Sequence, residues 1–240
     1  MDISIVIPAK NEEKYLPRLL RSIEKQSLKP RDIIVVDADS EDNTRKVARK
    51  HGAKVVKGGA HPSISRNMGA KIATGELIYF LDADTWMPDN FLKNTCEEII
   101  ERDIDLAVPD NFPVYTESEK GYNSKLIRLY DKMLYTLDNG GTRFWSHFYP
   151  VGTGTCIICK KKLFDKIGGF TESIVVFEDS NLVFRGSKKS KFRVLDSNYI
   201  GVSTRRFDEK GRFWFPLYMG IRGSIGRLLF GESHKTDYFD

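Results

Sequence analysis

Short apolar runs alternate with amphipathic segments along the first half of the chain. The runs are rich in β-branched residues, a pattern typical of strands that are buried on both faces. The segments between them carry apolar residues at helical spacing. The predicted strands are 3–8, 32–40, 53–57, 76–82 and 105–109, and the predicted helices are 11–26, 41–52, 61–75 and 88–103. This alternation predicts an α/β fold with a mostly parallel sheet covered by helices on both faces.

Acidic residues stand where two of these strands finish. Asp37 and Asp39 end the second strand, and Asp82 and Asp84 end the fourth. Ligands of parallel sheets gather at the carboxyl ends of the strands. Two carboxylates separated by one residue can converge on a hard cation such as Mg²⁺ or Mn²⁺, which also binds substrate phosphates. Alternatively, the second pair only caps the turn that follows its strand.

The pattern after residue 110 is less regular. Residues 110–124 are predicted as a polar loop. A helix over 125–137, a strand over 149–159 and two further helices over 160–170 and 176–187 are expected to follow. The last of these helices begins with acidic residues, which suits a helix N-terminus.

Composition describes an ordinary globular chain of 240 residues, 40% hydrophobic and 30% charged. No linker divides it, no signal peptide is recognised, and no apolar run approaches the roughly 20 residues that span a bilayer. We therefore expect one domain with a cytoplasmic location. The net charge of +5 is modest, and the basic residues form no nucleic-acid motif, which predicts no nucleic-acid partner.

The three cysteines predict no disulfide framework, because their number is odd and the chain has no secretion signal. Cys156 and Cys159 have the spacing of a redox or zinc half-site. Their setting is a predicted strand, on which positions three apart point to opposite faces. Two small buried residues are therefore the favoured interpretation.

Five segments in order resemble the family 2 glycosyltransferases: VIPAKNEE, VVDADSEDNT, SISRNMGAKIATGELIYFLDADT, GGF and FEDSNLVFR. The resemblance covers roughly residues 1–207. It implies a Rossmann-like GT-A fold and an enzyme that transfers a sugar from a nucleotide diphosphate with inversion at the anomeric carbon. It also implies a divalent cation, Mg²⁺ or Mn²⁺. Residues 1–110 would bind the nucleotide sugar, and residues 111–207 would bind the acceptor.

The resemblance implies roles for individual residues. Asp84 would be the principal metal ligand, with Asp82 contacting the ribose or the metal's water shell. Asp179 corresponds to the general base, and Glu178 would orient the acceptor or act as the base itself. Helix capping is the alternative for both. The implied donor-binding residues are Pro8, Ala9, Glu12, Asp37, Asp39, Arg66, Asp82, Ala83, Arg205 and Arg206.

The segment VSTRRF, residues 202–207, resembles the family's Q-x-x-R-W element. Ser203 replaces the glutamine and Phe207 replaces the tryptophan. The two arginines of the segment suit a diphosphate or a phosphorylated acceptor. A solvated basic turn beside an edge strand is the alternative.

Residues 208–240 are predicted to form a basic amphipathic extension. Basic residues outnumber acidic ones between 204 and 235, and apolar residues from Trp214 to Leu228 fall at helical spacing. Such a segment can lie on an anionic membrane surface, so peripheral contact through 213–230 at the inner membrane face is one expectation. Packing on the catalytic domain is the other.

Donor and acceptor are expected only as classes: a UDP- or GDP-sugar, and a glycan, lipid phosphate or other hydroxyl compound, including lipid-linked and cell-envelope glycans. Two other functions compete with transfer. A sugar-nucleotide pyrophosphorylase is disfavoured because VIPAKNEE has no glycine to cradle a triphosphate. A catalytically silent nucleotide- or carbohydrate-binding module is disfavoured because Asp84 and Asp179 are both present.

Overall fold

The computed structural model describes residues 1–146, 148, 150, 152 and 154–214. These residues contain eight strands and eight helices. The strands are β1 (Ile3–Ala9), β2 (Asp32–Asp37), β3 (Lys54–Lys57), β4 (Leu77–Leu81), β5 (Thr85–Trp86), β6 (Leu106–Val114), β7 (Cys156–Lys160) and β8 (Phe192–Ser203). The helices are α1 (Leu16–Glu24), α2 (Thr44–Lys50), α3 (Pro62–Ile72), α4 (Phe91–Glu101), α5 (Lys125–Trp145), α6 (Lys161–Ile167), α7 (Glu178–Ser187) and α8 (Arg205–Lys210).

The strands form a single sheet in the order β3-β2-β1-β4-β7-β6-β8-β5. Strand β1 pairs in parallel with β2 and β4, and β3 extends this parallel group beyond β2. Strand β7 runs antiparallel between β4 and β6, and β6 pairs in parallel with β8. Only β7 and β5 therefore oppose the common direction, which confirms the predicted mostly parallel sheet.

Helices cover both faces of this sheet, as predicted. One core cluster packs α1, α2 and α4 on one face, and the other packs α3, α6 and α7 on the opposite face. Cys156 belongs to the first cluster and Cys159 to the second. Both thiols are free and buried, so the expectation of two buried residues on opposite faces is confirmed.

Two predicted boundaries in the first half were too generous. Helix α1 begins at Leu16 rather than at residue 11, with Pro17 in its first turn, where the missing N–H costs no hydrogen bond. Strand β2 ends at Asp37 rather than at residue 40, because Asp39 has a left-handed backbone with φ of 60°. As a result, Glu12 lies in the loop between β1 and α1, and Asp39 lies in the loop after β2.

The prediction of a loop over 110–124 was wrong for its first part, since β6 continues to Val114 and pairs with β8. Helix α5 starts where predicted but extends to Trp145 rather than stopping at 137. Strand β7 begins at Cys156, later than the predicted 149. Residues 215–240, which hold most of the predicted extension and its membrane-contact segment, lie outside the described residues. Within the described part, no helix is long and apolar enough to cross a bilayer.

Candidate active site

A cleft lies at the carboxyl ends of β1, β2 and β4. Parallel pairing of β1 with its two neighbours brings these three strand ends to one edge of the sheet. The cleft is lined by Pro8, Ala9, Lys10, Glu12, Ala38, His61, Pro62, Ser65, Arg66, Asp82, Ala83, Asp84, Arg205 and Arg206. Nine of the thirteen residues to which the resemblance gave a role therefore line this cleft.

The Asp82-Ala83-Asp84 turn divides the cleft between two arginines. The turn is closed by Thr85, whose backbone N–H and hydroxyl both donate to the Asp82 carbonyl, at 3.2 and 2.7 Å. The carboxylate of Asp82 faces Arg66, and the carboxylate of Asp84 faces Arg205. The two carboxylates are thus held by different cations.

Arg66, on α3, is buried among carboxylates. Its Nη1 donates to Glu178 Oε1 at 2.6 Å, and its Nη2 donates to Asp82 Oδ1 at 2.8 Å and to the Gly154 carbonyl at 3.3 Å. The guanidinium also lies 5.4 Å from the ring centre of Phe170. Burial alone would lower the pKa of Arg66, but the facing carboxylates outweigh it and raise that pKa. Arg66 is therefore a permanent cation inside the protein and not part of a surface salt bridge.

Arg205 comes from α8 and lies between two other carboxylates. Its Nη1 donates to Glu12 Oε2 at 2.8 Å, its Nη2 donates to Glu12 Oε1 at 2.5 Å, and its Nε lies 3.1 Å from Asp84 Oδ2. The ring of Tyr15 stacks below the guanidinium at 4.4 Å. The VSTRRF segment is thus fixed over the cleft by this arginine, rather than forming a solvated turn.

Burial shifts two carboxyl groups of the cleft. It raises the pKa of Glu12 to about 7, although Arg205 acts in the opposite direction. It also raises the pKa of Asp82, against the influence of Arg66. For both Glu12 and Asp82, burial therefore raises the pKa more than the neighbouring arginines lower it.

Asp37 and Asp39 do not line the cleft as their shared motif suggested. Asp37 is buried beneath it, where its Oδ2 accepts from the Ser40 N–H at 3.2 Å and lies 3.7 Å from Arg45 Nε. Its Oδ1 is buried and accepts no hydrogen bond from the described residues. Asp39 is exposed on the far side of the left-handed turn. Only Ala38 between them reaches the lining.

Glu178 and Asp179 start α7 but face different surroundings. Glu178 is buried, 4% exposed, and its Oε1 is held by Arg66. Asp179 is partly exposed, and its Oδ1 accepts from the Ser180 N–H at 2.7 Å. A Cβ on Gly154 would lie 3.2 Å from Asp179 Oδ2 and 3.6 Å from Arg66 Nη2. The Asp179 carboxylate therefore lies beside the Arg66 cluster, with one oxygen directed toward this glycine.

The residues fit a hard divalent cation through two carboxylates. Among the described residues, no group of three or more His, Cys, Asp or Glu side chains is placed to hold a metal. Glu12 and Asp84, however, already share one cationic group, the Arg205 guanidinium. Mg²⁺ is commonly held by one or two carboxylates together with substrate phosphates. Asp84, 4% exposed and at the cleft, is the best placed ligand for such an ion.

Several lining residues had not been singled out from the sequence. Lys10 follows β1 within the PAKNEE segment, and His61 and Ser65 lie at the start of α3. Arg18 supports the site from α1, donating from Nη2 to the Asp84 carbonyl at 3.1 Å. Their position in the sequence could have indicated this role, since polar residues just after a buried strand or at a helix start lie at the edge of the sheet where ligands bind.

Comparison with known proteins identifies the family of this fold. Residues 4–168 match the sequence model described as "Glycosyl transferase family 2". The chain is 40% identical over 90 residues to the 4,4'-diaponeurosporenoate glycosyltransferase of Staphylococcus haemolyticus, covering 34% of this chain and 24% of that protein. It is 30% identical over 117 residues to the poly(ribitol-phosphate) beta-N-acetylglucosaminyltransferase TarS of Staphylococcus aureus, covering 45% of this chain and 20% of that protein.

Solved structures give the same fold. TarS residues 1–349 in complex with UDP superpose with a TM-score of 0.64 at 23% identity, covering 87% of this chain and 62% of that one. The mannosyltransferase PcManGT of Pyrobaculum calidifontis, in complex with GDP-Man and Mn²⁺, superposes with a TM-score of 0.61 at 18% identity, covering 83% and 56%. The chain thus spans less than two thirds of each of these relatives. It belongs to glycosyl transferase family 2 and has the GT-A fold.

Proposed function

We propose that this enzyme is an inverting, metal-dependent transferase that moves a sugar from a UDP- or GDP-sugar to a hydroxyl or phosphate acceptor. One observation carries the proposal: Glu12 and Asp84 both contact Arg205 in a cleft at the strand ends that Arg206 also lines. A site with both carboxylates and guanidinium groups suits a divalent cation together with a diphosphate. The relatives' complexes with UDP and with GDP-Man and Mn²⁺ support this choice of ligands.

In this proposal the carboxylates of the cleft bind the cation and the arginines bind the diphosphate. Asp84 would hold the cation, with Glu12 as a second carboxylate beside it. Arg205 and Arg206 face the diphosphate and stabilise the charge that grows on it as the sugar leaves. A bound cation would supply further electrostatic stabilisation of that charge. Pro8, Ala9 and the segment around Ala38 form the wall for the nucleoside.

Asp179 is the proposed general base. The acceptor hydroxyl attacks the anomeric carbon as the bond from that carbon to the diphosphate oxygen breaks, and its proton passes to an Asp179 carboxylate oxygen. Glu178 does not suit this task, because its carboxylate is buried and engaged by Arg66. We assign Glu178 to positioning Arg66, which in turn borders Asp179 and Asp82. Cytoplasmic location, the division at residues 110 and 207, and the acceptor class remain predictions.

Replacing Asp179 by asparagine tests this assignment. Because the base acts only as the sugar is transferred, Asp179→Asn should reduce turnover by about 10²–10⁴-fold while nucleotide affinity changes little. Release of UDP or GDP from a panel of sugar donors with Mn²⁺ would give turnover, and calorimetry would give nucleotide affinity.

The surface variant Asp165→Asn is the matched control, since that carboxylate is exposed on α6. A parent chain that binds nucleotide but releases none from any donor would support the silent module instead. A folded Asp179→Asn variant with parental turnover would make Asp179 only a helix cap.

A further inference from the structure

Helix α5 presents a row of apolar side chains to solvent along one face. The row consists of residues three, four or seven apart, which places them on one side of a helix. Its members and their exposed fractions are Leu126 (78%), Leu129 (66%), Met133 (51%), Leu137 (65%) and Phe144 (60%). Single exposed apolar residues are common, but a continuous row of this kind marks an interaction surface. We call this row the outer face of α5.

The opposite side of α5 is fixed to the protein, so the helix cannot turn its outer face inward. Asp131 is fully buried, accepts from the Tyr115 hydroxyl at 3.1 Å and pairs with Arg212. Asn139 exchanges hydrogen bonds of 2.9 and 2.8 Å with the backbone of Asn111 in β6. Arg143 pairs with Asp110 at 2.9 Å. These contacts hold the outer face toward solvent along the whole helix.

Basic side chains accompany the outer face. Lys125, Arg128 and Lys132 are exposed in the first half of α5. Of the two acids on α5, Asp131 is buried and paired, and Asp138 is exposed. The exposed charge along the helix is therefore mostly positive. Such a surface is complementary to an anionic one.

Exposed aromatic rings extend the same region. Trp145 at the end of α5 and Phe148 beyond it are 56% and 75% exposed. Aromatic side chains are favoured where one end of a ring meets an apolar phase and the other meets water.

We propose that the outer face of α5, together with Lys125 and Lys132, docks the enzyme on an anionic lipid bilayer, with the helix lying in the plane of the interface. A second copy of the chain fits less well, because exposed basic side chains on α5 (Lys125, Arg128 and Lys132) outnumber its one exposed acid, Asp138. Tyr135 on the inner side of α5 packs against Phe207 at 6.0 Å, two residues beyond Arg205. Docking would therefore bring the cleft close to the lipid surface. That consequence for a lipid-phosphate acceptor rests on the proposed function, whereas the docking itself does not.

Vesicle flotation of the full chain without donor tests the docking. The chain should float with vesicles of phosphatidylcholine and phosphatidylglycerol, and the double variant Leu129→Glu/Met133→Glu should lose at least about tenfold in partitioning, because buried apolar area sets binding strength. Ile100→Glu is the matched control, since Ile100 is an exposed apolar residue (55%) on a different helix, α4. Parental flotation of the double variant would overturn the proposal and assign membrane binding to another segment.

Variants that remove one positive charge test the docking independently, in case the double variant folds poorly. Lys125→Gln and Lys132→Gln should each weaken partitioning about fivefold at low salt, as expected for one basic residue near an anionic surface. Lys46→Gln, an exposed lysine on α2, should have no effect. Equal binding to phosphatidylcholine alone would overturn the anionic assignment. A dimer in sedimentation that depends on Leu129 and Met133, without flotation, would make the partner a second copy.

Discussion

Two arginines hold the two carboxylates of the Asp82-Ala83-Asp84 turn, and they differ in where they come from. Arg66 stands on α3, within the parallel half of the fold, and its side chain is 3% exposed. Arg205 stands on the six-residue helix α8, and its side chain is 17% exposed. The first arginine is built into the core, whereas the second is brought over the cleft by the last part of the described chain.

We infer from this difference that Arg66 is a structural cation, whereas Arg205 can be replaced by another cation. Arg66 is tied to Asp82, Glu178 and the Gly154 carbonyl, which come from three separate parts of the chain. Arg205 instead occupies the place between Glu12 and Asp84 that we propose for a divalent cation. A positive group at each position satisfies the buried carboxylates before any donor binds. If the proposed divalent cation binds with the donor, only the Arg205 guanidinium would have to leave its position between Glu12 and Asp84.

The largest expected effect is on stability at Arg66. Arg66→Ala leaves the Asp82 and Glu178 carboxylates without their cation, and breaking a buried pair in this way costs about 3–5 kcal/mol. Arg205→Ala should cost less, about 1–2 kcal/mol, because water can reach the mouth of the cleft and solvate the carboxylates left behind. Urea denaturation at neutral pH measures both free energies of unfolding. Equal losses would erase the proposed distinction.

The parts of the site that the sequence predicts are those with a local signature. Asp82, Asp84 and Glu12 follow buried strands, so their position at the edge of the sheet follows from the alternation of elements. Their pairing with cations does not, because Arg205 and Glu12 are 193 residues apart. Glu178 illustrates the limit: its helix-start position is visible, but its burial against Arg66 depends on a contact across 112 residues.

In the fold, too, the sequence predicts the elements with a local pattern and misses those that depend on pairing with a distant segment. The βα units up to residue 109 follow from periodicity, whereas the continuation of β6 does not. Its sequence DNFPV has the residues of a turn, and it becomes a strand because β8 pairs with it over residues 110–114. The register shifts between Val108 and Asp110, at Pro109, which cannot donate to a ladder. Pairing with a distant strand overrode local propensity here.

The next effect is smaller and concerns metal affinity. Arg205→Gln removes the cation that competes for Glu12 and Asp84, so Mn²⁺ alone should bind about tenfold more tightly than to the parent chain, as expected when two ligands of one site are coupled. Arg206→Gln removes the same charge from the neighbouring residue of the cleft and is the matched control. Titration of Mn²⁺ followed by electron paramagnetic resonance gives the affinities. Asp84→Ala should abolish binding, and unchanged affinity in Arg205→Gln would show that the guanidinium does not occupy the metal position.

The smallest effect tests what holds Arg205 in place. The ring of Tyr15 lies 4.4 Å from the guanidinium, and such a contact contributes about 0.5–1 kcal/mol at a partly exposed site. Tyr15→Leu should therefore loosen Arg205 and raise Mn²⁺ affinity about two- to fivefold, whereas Tyr15→Phe keeps the ring and should leave the affinity unchanged. In the Arg205→Gln background, Tyr15→Leu should have no effect, because there is no guanidinium left to stack. An equal gain in both backgrounds would mean that Tyr15 acts on the metal position directly and not through Arg205.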